Sequence, residues 1–108
     1  MALPKPLLAA TVSRLQPPPA HLEKPEAALW TGLVRDYKFD SAASLELLQS
    51  ALEAKQRSRR CRERVDAEGE SWKDDKGNLR PHPLLSAERS ARASFIQCMR
   101  LLRLDVKV

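Results

Sequence analysis

Six cations stand within ten residues in KQRSRRCRER, residues 55–64: Lys55, Arg57, Arg59, Arg60, Arg62 and Arg64, with Glu63 the single acid among them. The run carries +5, equal to the formal net charge of the whole 108-residue chain. A dense set of guanidinium groups is what phosphate recognition needs, because arginine offers a planar fork of N–H donors and keeps its charge. The same set on a helix can also be a solvated surface. On a wheel at about 100° per residue, Lys55, Arg59 and Arg62 cluster on one side, while Arg57, Arg60 and Arg64 fall at about 140–200° from Lys55. A solvated face interleaves acids at i,i+4. Within the run only Glu63 does so, and the cations repel one another unless a polyanion relieves them. Composition leaves DNA contact and plain solvation both open.

Few other residues could do chemistry. His21 lies among prolines, and His82, between Pro81 and Pro83, reads as the start of a helix. Cys61 and Cys98 form no CxxC pair, so reduced thiols are expected, with neither a disulfide nor a metal site. Asp74 and Asp75 sit in a turn sequence, where acids usually serve the turn. Gly32, Gly69 and Gly77 are too scattered for a phosphate loop. No nucleophile–base set, metal or cofactor is expected, and the chain reads as a non-enzyme. The sequence pI of about 9.6 favours an anionic partner. No apolar run approaches the roughly 20 residues of a membrane span. LLAATV (7–12) follows Pro4 and Pro6 and is shorter than a signal-peptide core, so a soluble, cytoplasmic protein is expected.

The elements that must carry the cations follow from periodicity and punctuation. Residues 1–24 hold five of the eight prolines and read as a flexible arm. A first helix is expected over about 25–38, with Pro25 and Glu26 at its start and Leu29, Trp30, Leu33, Val34 and Tyr37 as its apolar stripe. A second helix is expected over about 41–68, opened by Asp40 or Ser41 and stopped by Gly69 in a left-handed cap. Its seam is Leu47, Ala51, Ala54, Ser58, Cys61 and Val65. Residues 70–80 allow a small β-hairpin. A third helix is expected over about 83–103, with Leu84, Ala87, Ala91, Ser94, Cys98 and Leu101 as the matching seam, widened by Phe95, Met99 and Leu102. The fold class is therefore all-α: an N-terminal helix and a long antiparallel helical hairpin in a domain over 25–105, with 106–108 a tail. On this hairpin Cys61 and Cys98 are out of level by roughly 12 Å, too far to bridge. The thin, alanine-rich core suits a homo-oligomer whose copies cover the Leu29–Tyr37 surface.

In order along the chain, PPPAHL (17–22), ALWTGLVRDYKFD (28–40), LELLQSALEA (45–54), AEGE (67–70), KGNLRPHPLL (76–85) and LLRLD (101–105) form a string of motifs. This string resembles the phage terminase small subunit family, in its short, all-helical, cos-phage type. The family often has a Ser or Thr cap where Glu23-Lys24 stand here, and a glycine near the end of the last helix that LLRLD lacks. The resemblance implies an oligomeric ring that recognises double-stranded viral DNA and presents it to the large terminase subunit, an ATPase and nuclease. It supplies no catalytic residue and no fixed DNA-contact motif. The assignment of Lys55, Arg57, Arg59, Arg60, Arg62 and Arg64 to DNA rests on charge alone. The alternative is a helical oligomeric interaction or scaffold protein that does not touch DNA.

Overall fold

The computed structural model describes residues 16–104, so residues 1–15 of the arm expected over 1–24 and the residues after 104 lie outside it. Three helices and one small sheet follow in order: α1 (Lys24–Asp36), α2 (Ala42–Glu68), β1 (Ser71–Lys73), β2 (Leu79–Pro81) and α3 (Leu84–Leu102). α2 and α3 run antiparallel as the expected hairpin, and α1 packs against α2. Among the described residues no helix is long and apolar enough to cross a membrane.

α1 begins with proline in its first turn and Glu26 close behind, and it stops where the Tyr37 N–H bonds to the Leu33 carbonyl at 2.9 Å. It ends two residues short of the expected Lys38, because Tyr37 turns to an extended conformation. α2 opens on a capping box: the Ser41 hydroxyl accepts the Ser44 N–H at 3.1 Å, and Ser44 Oγ accepts the Ser41 N–H at 3.4 Å. Its 27 residues span about 40 Å. Gly69 closes it with φ 93° and ψ 152°, a conformation open to glycine but outside the left-handed helical region that the sequence suggested.

The hairpin pairs Ser71 with Pro81, Trp72 with Arg80, and Lys73 with Leu79. Asp74 holds its turn, since Oδ1 accepts the Lys76 and Asn78 N–H groups, both at 2.9 Å, and Oδ2 accepts Arg80 Nε–H at 3.0 Å. These donors hold the Asp74 carboxyl below its ordinary range, the Asn78 N–H chief among them. His82 then joins three elements. Its N–H bonds to the Glu70 carbonyl at 2.8 Å, its Nε2 lies 2.8 Å from Glu68 Oε1, and its Nδ1 accepts the first α3 N–H, that of Leu84, at 3.0 Å. An accepting Nδ1 leaves the ring proton on Nε2, where Glu68 takes it. His82 thus caps α3 with its ring.

The apolar core sits at the end where α2 begins and α3 finishes. Leu22, Trp30, Val34, Phe39, Leu48 and Leu52 form it, with Leu29, Leu33, Leu45, Phe95, Leu102 and Leu104 packed around them. Phe39 belongs to no helix, yet it is 1% exposed and plugs the α1–α2 corner. The expected α2 seam holds at Ala51, Ala54, Cys61 and Val65, all buried. The α3 seam is shifted. Ala87, Ser94 and Leu101 are exposed, while Glu88, Ala91, Phe95 and Leu102 face inward. Both registers alternate threes and fours, and the larger side chains take the buried one because they bury more area. Cys61 and Cys98 are free thiols.

Candidate nucleic-acid interface

The six cations of residues 55–64 all project from the middle and far half of α2, but the fold treats them differently. Lys55 Nζ lies over the Phe95 ring at 5.2 Å, a cation–π contact that ties it to α3. Arg59 is turned inward against α1. Its Nε and Nη2 form a fork on Glu26, both contacts 2.9 Å, its Nη2 also reaches Glu23, and its Nη1 meets Glu63 at 3.1 Å. Glu26 is 1% exposed, so this fork supplies the hydrogen-bonding partner that its buried carboxyl group needs. The carboxylates of Glu26 and then Glu23 push the Arg59 pKa up.

Arg60 forms a second fork, on Glu23: Nε to Oε1 at 3.2 Å and Nη2 to Oε2 at 2.5 Å. With Arg60 first and Arg59 second as causes, the Glu23 carboxyl is lowered from 4.5 to about 2. Arg62 lies 3.7 Å from Asp66, and Arg64 bonds to Glu68 at 2.6 Å, both at i,i+4. Arg57 is exposed and pairs with no acid among the described residues. The idea that the run has only Glu63 for relief is therefore corrected. Asp66 and Glu68 answer it one turn on, and Glu23 and Glu26 answer it from α1. The cationic row beside Lys55 is half absorbed by the fold, through Phe95 and Glu26. The row of Arg57, Arg60 and Arg64 stays on the outer surface, exposed at all three positions.

Sequence reasoning missed Glu23, Glu26 and Gln56. A signal for Glu26 existed, since it shares the spacing of four with Trp30 and Val34 and so lies on the buried face of α1. Glu23 and Gln56 had none, because they are brought together by docking. Gln56 Oε1 accepts the Glu23 N–H at 2.6 Å, and its Nε2 donates to the His21 carbonyl at 3.3 Å. Trp30 Nε1 donates to the Gln16 carbonyl at 3.0 Å, and Leu22 is buried in the core. Residues 16–23, the later part of the expected arm, thus lie against α1 and α2. His21 pairs with Glu53 at 2.7 Å. Buried Glu88 accepts the Ser58 hydroxyl at 2.9 Å, with Arg92 3.6 Å away. Comparison with protein-family models, with curated proteins and with solved structures finds no match to this chain.

Proposed function

We propose that this protein is a small terminase subunit: a non-enzymatic, homo-oligomeric adaptor that recognises double-stranded viral DNA in the host-cell cytoplasm. It then presents that DNA to the large terminase subunit for packaging. One observation carries the DNA contact. Arg57, Arg60 and Arg64, at spacings of three and four, stand exposed along one flank of the apolar seam of α2. A row of this kind tracks a phosphate backbone and positions a protein without reading sequence. The family assignment rests on the motif string from PPPAHL to LLRLD, and the ring on that resemblance alone, because the Leu29–Tyr37 stripe expected to be covered by other copies is packed in the core of one chain.

The second reading, an oligomeric scaffold with no DNA contact, draws on the acids that answer Arg59, Arg60, Arg62 and Arg64. Binding of duplex DNA over a salt series separates the two. Under the DNA reading the protein binds, and Arg60→Ala, Arg64→Ala weakens cognate and random duplexes alike and flattens the log–log salt slope by roughly two units. No salt-dependent binding by the folded wild type would leave the scaffold reading.

A further inference from the structure

Glu23 stands at the start of α1 with its carboxylate seated in a site made by two guanidinium groups. Arg60 meets it with a two-pronged fork and Arg59 adds a third donor. Two oxygens of one anion facing parallel N–H donors is also the arrangement in which arginine holds a phosphodiester. We infer that Arg60 and Arg59 form a phosphate site which, in the free protein, is occupied by the Glu23 carboxylate, and that bound DNA displaces it. The inference rests on the DNA reading above and adds an internal competitor to it.

Three features suit Glu23 to exchange and the neighbouring Glu26 to permanence. The Glu23 side chain is 40% exposed and can swing into water, whereas that of Glu26 is 1% exposed and cannot. The backbone at Glu23 does not depend on its carboxylate, because the Glu23 N–H is held by Gln56 Oε1. Arg59 keeps its fork on Glu26 when Glu23 leaves, so its guanidinium stays aimed at the vacated position. Beside Arg60 a cavity of about 380 Å³, lined by His21, Glu53, Gln56, Arg57 and Arg60, opens toward solvent. Arg57, which pairs with no acid among the described residues, therefore borders the same opening. Displacing Glu23 costs the carboxylate its guanidinium partners, a loss that offsets part of the new phosphate contact, so the wild-type protein binds DNA below the capacity of its arginines.

The test is binding of a fluorescent random-sequence duplex to full-length protein over a salt series, with folding checked by circular dichroism. Glu23→Gln keeps the side chain's size and removes its charge. It should tighten binding by about three- to tenfold near 0.1 M salt and leave the log–log slope nearly unchanged, since Arg60 meets a phosphate in both proteins. Glu63→Gln removes the same charge from the same neighbourhood but touches only Arg59. It should give less than half of that gain. Arg60→Ala placed on Glu23→Gln should abolish the gain. If the wild type binds and Glu23→Gln merely equals Glu63→Gln, the competitor is refuted while the DNA reading stands. If neither wild type nor Glu23→Gln binds duplex DNA, the DNA reading fails and the Glu23 contact is an ion pair only. Should Glu23→Gln misfold, Glu23→Ala is the second variant, with the same outcomes attached.

Discussion

At the end where α2 begins, Trp30, Val34, Phe39, Leu48 and Leu52 interlock between two helices, with Phe95 and Leu102 closing over them from a third. Beyond Ala54, α1 reaches α2 only through the start of the helix, where Glu23 and Glu26 meet Arg59 and Arg60, while α2 and α3 meet through Ala54, Ser58, Cys61 and Val65 on one side and Glu88 and Ala91 on the other. The base is held by apolar area, the stem by close helix approach and by charge. Small side chains let two helices touch but remove little surface from water, so the stem draws on hydrogen bonds and ion pairs that the base does not need. The difference teaches why the cations gather on the stem: a helix that is not covered on its outer side can carry them facing solvent.

Mutation should separate the two regions. The largest effect is expected at the base, where Leu52→Ala removes a fully buried side chain and should cost about 3–4 kcal/mol in denaturant unfolding. A loss below about 1 kcal/mol would place the base outside the stabilising core. Next comes the junction of base and stem. Arg59→Ala strands the Glu26 carboxylate, and should cost about 2–3 kcal/mol, below the usual loss for a buried pair because Arg59 is partly exposed. Glu26→Gln in that background should recover much of the loss, which a purely packing role for Arg59 would not allow.

At the tip, His82→Ala removes the acceptor for the Leu84 N–H and should cost about 1 kcal/mol. Hydrogen exchange should locate it: the first-turn amides of α3 lose protection, and those of the base do not. Uniform loss along the chain would show that stem and base unfold together. The smallest effect is a pH dependence. Because the folded Glu23 carboxyl is lowered to about 2 from 4.5, its contribution is complete above the unfolded value and fades as pH falls from about 4.5 to 2. Wild type and Glu23→Gln should therefore differ in stability at pH 6 and converge near pH 2. A gap that persists at pH 2 would mean that the difference is not electrostatic.

What the sequence by itself determined is local. Asp40 or Ser41 marks the start of α2, Gly69 its end, Asp74 and Gly77 the hairpin turn, and His82 the start of α3, because caps and turns are made by residues a few positions apart. The small seam of α2 was legible at Ala51, Ala54, Cys61 and Val65 for the same reason, since helical periodicity is intrinsic to the chain. The α3 seam was legible only in part: Ala91, Phe95 and Leu102 lay on the expected stripe and face inward, but Ala87, Ser94 and Leu101 are exposed, because two registers fit the pattern and packing of the larger side chains chose between them. Phe39 lies between the first two expected helices, and its burial depends on a corner that α1 and α2 make together. The six cations show the limit most clearly. Their positions on the helix could be drawn on a wheel, but the Glu23 and Glu26 that meet Arg59 and Arg60 lie more than 30 residues away in sequence. Only the docking of α1 decided that Arg59 is an internal ion, that Arg60 is held by a carboxylate at the surface, and that Arg57 is left to meet whatever anion arrives.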